Sequence, residues 1–263
     1  MSLGVHVSIA GGLNVAETKA LAMGANCMQI FSSSPRDWGL PNLPDYRFMI
    51  SPVYFHATYL INLADGGEIG ERSKRLLVAE LNLASRLGIK GSIVHPGSFK
   101  GDPTDEKFAI FLDNIAQVLA NTPKDTYLIL ENAGNKKIGQ NLAELGAIAA
   151  AISDPRLKFC LDTCHLQATG YDLSIPGKII DLFDDLIGLG RLELIHVNDS
   201  KDPLGSFRDR HENIGEGTIG LQNFKKFINE PRLSQTPFIL EVPGFDDKGP
   251  DRENLDILKN LVQ

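Results

Sequence analysis

The sequence predicts a single (β/α)8 TIM barrel occupying residues 1–263. Eight short apolar runs alternate with segments whose apolar residues mostly return every three or four positions, the period of amphipathic helices. Six of the eight runs deliver a metal-competent side chain where the strand stops, whereas an open doubly wound sheet would carry its ligands at one switch point. A length of 263 residues without a linker-like gap suits one large core.

The first strand is expected over Gly4 to Ile9, with its turn at Gly11 and Gly12. A helix follows from Asn14 to Met23, ended by Gly24, and the second strand is Cys27 to Phe31. It opens into the polar, proline-rich loop SSSPRDWGLPNLP, which carries Arg36 and Trp38. A Trp beside an Arg can stack on a ligand or seal one end of a barrel, and composition does not choose. The third run, VYFHA, delivers His56 and continues as ATYLINLA, a loop over the strand ends with Tyr59, Leu60 and Asn62. A helix from Glu71 to Leu87 stops at Gly88. The fourth run ends at His95, where Pro96 and Gly97 force a sharp turn.

Thr104 caps a helix from Asp105 to Ala120 whose apolar residues keep helical spacing. Strand five, Tyr127 to Glu131, ends on a carboxylate that is costly at the end of an apolar run unless a cation or donor meets it. After a helix from Asn141 to Ile152 comes LKFCLDTCH, an apolar run that ends at Asp162 with His165 three residues on. A loop, ATGYDLSIPG, and a helix through Phe183 to Leu189 lead to strand seven, which ends at His196. In the loop FRDRHENIGEG, Asp209 and His211 stand two apart, so an extended segment points them the same way. A helix from Leu221 to Ile228, a strand ending at Glu241 and a helix from Arg252 to Leu261 complete the chain.

The formal net charge of -7 argues against a polycationic DNA-wrapping protein, though bound metal adds positive charge that residue counting omits. Cys27, Cys160 and Cys164 form neither an even set nor zinc-finger spacing, which points to a reducing compartment, with Cys27 and Cys160 as core fillers. The N-terminus has no basic segment ahead of an apolar core, and no run reaches transmembrane length. A cytoplasmic monomer acting at the nucleoid, with no membrane partner, is the expectation.

Five of the six histidines fall among nine candidate metal donors: His56, His95, Glu131, Asp162, His165, His196, Asp209, His211 and Glu241. Nine nitrogen and oxygen donors exceed what one tetrahedral ion uses, and they divide among two or three ions sharing a carboxylate. Abundant imidazole without cysteine ligation favours zinc, with manganese next. Clustered ions with open positions suit phosphodiester hydrolysis. A sugar isomerase or epimerase of the xylose isomerase-like kind would use one divalent ion on Glu131, Asp162, His196 and Glu241. That reading leaves the other five donors without a role. A metal-stabilised DNA-binding protein without catalysis would need no open coordination positions.

GVHVSIAGG, HATYLINLA, HPGS, LDTCH, HVNDSK, DRHENIGEG and FILEVPG, distributed over essentially the whole length, make the chain resemble the endonuclease IV (deoxyribonuclease IV) family of zinc-dependent apurinic/apyrimidinic endonucleases. The resemblance implies a first zinc on His56, His95 and Glu131, a second on Glu131, Asp162, His196 and Glu241, and a third on His165, Asp209 and His211. It implies that the first two ions share the attacking hydroxide while the third stabilises the leaving 3' oxygen. It also implies cleavage 5' to an abasic site in duplex DNA, giving a 3' hydroxyl and a 5' deoxyribose phosphate, and repair of 3'-blocked ends. Arg36, Tyr59 and Leu60 match the residues that enter the minor groove in that family. The chain departs from the family's pattern after Glu131, where it reads NAGNKKIGQ, and at Ser174-Ile175. There Lys136 and Lys137 stand as local replacements for contacts to DNA. Three zinc ions would bring the formal -7 to about -1.

Overall fold

A computed structural model describes residues 1–263. Eight parallel strands close into a barrel: β1 (Leu3–His6), β2 (Cys27–Phe31), β3 (Val53–His56), β4 (Gly91–Val94), β5 (Tyr127–Glu131), β6 (Leu157–Asp162), β7 (Leu192–His196) and, after the short β8 (Asp199–Ser200) and β9 (His211–Glu212) outside the barrel, β10 (Phe238–Leu240). The helices are α1 (Leu13–Met23), α2 (Glu68–Leu87), α3 (Asp105–Ala120), α4 (Leu142–Ala151), α5 (Thr163–Ala168), α6 (Pro176–Leu186), α7 (Leu221–Ile228) and α8 (Arg252–Leu261). Closure leaves the barrel sheet without an edge strand. None of the helices is long and apolar enough to cross a membrane.

Several expected boundaries move. The first strand ends at His6 instead of Ile9, and α2 begins at Glu68 instead of Glu71. The residues after Asp162 form α5, with the Asp162 carboxylate accepting from the His165 backbone N–H as an N-cap. Between β2 and β3 there is no helix. That long connection is held instead by Glu17 of α1, whose carboxylate accepts from Tyr46 Oη at 2.6 Å and from the Met49 and Ile50 amides at 2.5 and 2.9 Å. In the loop after β7, β8 and β9 pair antiparallel over two residues. The base of this pairing is fixed by the buried Asp199 carboxylate, which accepts backbone N–H groups from Gly215, Gly217 and Ile219.

Each barrel strand alternates sides, so residues two apart share the interior. Cys27, Tyr54, Ile93, Ile129, Cys160, Leu194 and Ile239 form an apolar layer inside the barrel, separate from the large core between strands and helices. Cys27 and Cys160 are therefore the fillers their composition suggested. The eighth interior position is Gly4, where a Cβ would collide with the Cys27 carbonyl oxygen, so only glycine closes the ring there.

Candidate metal centre

Two residues beyond each interior position, toward the C-terminal end of its strand, comes the next inward side chain. The eight are His6, Gln29, His56, His95, Glu131, Asp162, His196 and Glu241. One pleat repeat thus converts an apolar floor into a polar rim on every strand, as barrels build active faces from many strands. The turn into α5 adds His165, and the loop around β9 adds Asp209 and His211.

Glu131 is fully buried at the centre. Its Oε2 lies 3.3 Å from His56 Nε2 and 3.5 Å from His95 Nδ1, and its Oε1 lies 3.0 Å from His196 Nδ1. The donor atoms of His56, His95 and Glu131 fall within 4.8 Å of one another, as do those of Glu131, Asp162, His196 and Glu241. Glu131 is common to both groups. A third group gathers at His165, whose Nε2 is 3.0 Å from Asp209 Oδ1, and His211, whose Nε2 is 3.5 Å from that oxygen. Asp162 belongs here as well, because its Oδ2 lies 3.6 Å from His211 Nε2. Cys164 is near Asp209 and His211, but burial raises its thiol well above the usual range, which leaves it a poor donor.

The remaining ring nitrogens decide whether these residues suit a cation. His56 Nδ1 is 2.8 Å from the Ala57 carbonyl oxygen, His165 Nδ1 is 2.8 Å from that of Asn132, and His211 Nδ1 is 3.3 Å from that of Glu241. His196 Nε2 lies 2.7 Å from Gln29 Oε1. An acceptor on one nitrogen places the N–H there and turns the opposite lone pair inward, the arrangement that metal-binding histidines require. His211 Nε2 is buried with no hydrogen-bond partner. A cation at the third group satisfies that orphan, so the donor set fits divalent metal.

The electrostatics agree. Burial pushes the Glu131 carboxyl up, yet His95 and His196 hold it well below the usual carboxylate range. Burial lowers His95 to about 4, leaving its imidazole a neutral donor. His165 is disfavoured as a cation by burial, but Asp162 and Asp209 overcome this and raise it to about 10. Positive charge is strongly stabilised beside those carboxylates, whether a proton or a metal brings it.

Gln29, His6, Asn132 and Asn198 stand outside the nine expected donors and orient several of them. Gln29 Nε2 donates to Glu241 Oε1 at 2.5 Å while its Oε1 faces His196, so one buried amide links two donors of the second group. His6 Nδ1 lies 3.2 Å from the same Glu241 oxygen. Asn198 donates to Asp162 Oδ2 at 2.6 Å and accepts from the Glu241 amide at 2.8 Å, and Asn132 Oδ1 accepts from the Asp162 amide at 2.6 Å.

Arg36 is exposed, Leu60 half-buried, and Tyr59 is 59% exposed. Tyr59 stands over the rim, its ring 6.1 Å from His95 and 5.7 Å from both His56 and Phe31. The loops bearing Arg36 and Tyr59 are tied, since Thr58 Oγ1 and the Tyr59 amide both donate to the Pro35 carbonyl oxygen, at 2.6 and 3.1 Å. Trp38 is half-buried against the core, where Leu76, Arg72 and Arg75 share its surroundings, so it packs.

Fold and donor set define a barrel built to carry divalent metal on its C-terminal rim, and residues 18–261 match the family described as a xylose isomerase-like TIM barrel. Within that class the chain is 38% identical to a probable endonuclease 4 of Solibacter usitatus, over 100% of this chain and 97% of that one. The crystal structure of endonuclease IV from Thermus thermophilus superposes with a TM-score of 0.85 at 33% identity, covering 99% and 98% of the two chains. A 3-keto-D-glucoside 4-epimerase from E. coli, at 16% identity and a TM-score of 0.70 over 99% and 98%, shares the fold alone. The chain belongs to the endonuclease 4 family.

Proposed function

We propose that the chain hydrolyses the phosphodiester 5' to an abasic site in duplex DNA, leaving a 3' hydroxyl and a 5' deoxyribose phosphate, and that it also clears blocked 3' ends. One observation carries this reading beyond family membership: beside the two groups that share Glu131, the same rim gathers His165 and His211 with Asp162, and Asp209 Oδ1 lies 3.0 Å from His165 Nε2 and 3.5 Å from His211 Nε2. A single-ion sugar epimerase on Glu131, Asp162, His196 and Glu241 gives His56, His95, His165, Asp209 and His211 nothing to do.

In the proposed arrangement His56, His95 and Glu131 hold one zinc, Glu131, Asp162, His196 and Glu241 a second, and His165, Asp209 and His211 a third, with manganese as a substitute in part. When bound, such ions supply Lewis acidity toward phosphate oxygens and make a water nucleophilic near neutral pH. The rest falls to the chain. The fixed imidazoles keep their lone pairs inward at little reorganisation cost, and Glu131 keeps two groups in register. Tyr59, Leu60 and Arg36 fill the gap left when the abasic nucleotide leaves the stack, offsetting an unstacking cost of about a few kcal/mol.

The test is incision of a 5'-labelled duplex holding one abasic site. The expected product carries a 3' hydroxyl that a polymerase extends, and chelator abolishes the cut. A product that is not extended, or incision unaffected by exhaustive metal removal, overturns the reading. Elemental analysis of protein purified without chelator tests the ion count. About three ions per chain are expected, and a value near one with no further uptake favours the epimerase.

A further inference from the structure

We infer that Phe207, together with Lys136 and Arg208, forms a second DNA grip on the rim, on a different loop from Arg36, Tyr59 and Leu60. A nucleobase would stack on the Phe207 ring, with neighbouring phosphates on the two cations. The inference rests on the proposed DNA substrate and adds a contact surface to it.

Phe207 is 44% exposed, and its backbone sits at φ 54, the left-handed region that a bulky side chain rarely occupies. The conformation is imposed by the surroundings, because the Phe207 and Gly205 amides donate to the Ala168 and Gln167 carbonyls of α5 at 2.8 and 2.9 Å. Nothing in the core uses the ring. A strained residue that displays an aromatic surface to solvent needs an external reason.

Its neighbours suggest the occupant. Lys136 Nζ stands 6.0 Å from the ring centroid. The loop that carries Lys136 is seated on the third donor group, since a Cβ at Gly134 would lie 2.7 Å from His165 Cδ2 and 3.2 Å from Asp209 Cβ. Arg208 has a 67% exposed side chain, and its ion pair with Asp202 at 3.6 Å competes with Arg210, which holds both Asp202 oxygens at 2.7 and 2.6 Å. Lys137 is exposed beside them. On a chain of net charge -7, an exposed aromatic face with Lys136 over it and Arg208 next in the chain, two residues from Asp209, fits a polyanion that also offers flat rings. Nucleic acid supplies both, stacking on aromatic faces and pairing its phosphates with Lys and Arg. Tyr59 lies over His56 and His95, whereas Phe207 is two residues from Asp209, so the two aromatic rings are carried by different loops of the donor rim.

Phe207→Gly is the informative variant, because glycine accepts the positive φ and removes only the ring. It should fold at least as well as the parent and keep its metal, while duplex Kd and KM rise roughly tenfold to a hundredfold. Hydrolysis of bis(p-nitrophenyl) phosphate, too small to reach the grip, should stay unchanged, and Phe207→Trp should restore duplex binding. Lys136→Ala should lower the slope of log Kd against log salt by about one. Unchanged duplex Kd and KM in Phe207→Gly, or equal losses on duplex and on the small diester, overturn the grip. A parent protein that fails to incise abasic duplex instead overturns the function, so the two failures are distinguishable.

Discussion

The two ends of the barrel treat buried charge in opposite ways. At the N-terminal end Arg156, 5% exposed, directs Nη1 to the Thr122 and Pro123 carbonyls at 3.1 Å each. Its Nη2 reaches the Leu119 carbonyl and Asp154 Oδ2 at 2.6 Å each, and its Nε reaches Asp154 Oδ1 at 3.1 Å. On β3 and β7, Tyr54 Oη donates to Glu193 at 2.9 Å. The charge there is answered by the chain itself, and it locks the end of α3 to the start of β6. At the C-terminal rim the imidazoles are oriented by carbonyls and amides, yet their inward lone pairs meet only carboxylates and one another. His211 Nε2 is left with no partner. A satisfied buried charge marks architecture, and a cluster that only an added cation completes marks chemistry.

The sharpest break of this contrast is Glu131→Gln, which keeps the shape but not the charge of the shared carboxylate. Incision should fall by orders of magnitude and the first two groups should bind metal more weakly, while the fold persists. Near-normal incision by a metal-replete variant, checked by elemental analysis, would sink the bridging role. Arg156→Met probes the opposite end. Stability should drop by about 3 to 5 kcal/mol because Asp154 and the freed carbonyls lose their partner, read by denaturant titration, with metal stoichiometry unchanged.

A smaller effect is expected from Gln29→Leu, which removes the amide linking His196 to Glu241. Chelator competition should show about a tenfold to hundredfold loss of affinity at one ion and little change at the others. Uniform weakening of all sites would make Gln29 a packing residue only. The mildest test is Arg36→Ala with Tyr59→Ala. Incision at an internal abasic site should lose about 1 to 3 kcal/mol of transition-state stabilisation. Removal of a 3'-terminal phosphate should suffer less, with zinc content constant. Equal losses on both substrates would reassign these loops to general support of the rim.

Six of the nine expected donors could be picked out because barrel strands end in register and an apolar run stops at a residue too polar for its company, whereas His165, Asp209 and His211 lie beyond those runs and rested on spacing and resemblance. His6 and Gln29 obey the same two-residue offset from the interior layer, at Gly4 and Cys27, and were still missed. Gly4 shows no apolar side chain to mark the offset, and Gln29 is followed by Ile30 and Phe31, so the run does not stop there. Asn132 and Asn198 act just past their strands, where an amide looks like ordinary loop. The six-residue α5 is too short to display a helical period, and β8 and β9 are too short to alternate. The link from β2 to β3 keeps its shape through Glu17, a long-range contact that no local window contains.

The shared hydrogen bonds at Pro35 have a kinetic meaning. Two segments that close independently must find their seated positions separately, and each loses conformational freedom when DNA arrives. Thr58 and Tyr59 both donate to the Pro35 carbonyl, which fastens the backbone next to Arg36 to the Tyr59 segment, and in the proposed DNA-contacting role that tie supplies part of the ordering before encounter. Thr58→Val, which deletes the 2.6 Å bond from Oγ1, should therefore slow productive docking more than it speeds release. Stopped-flow association with an abasic duplex would register the lost rigidity as a lower on-rate, in a protein whose metal centre is untouched.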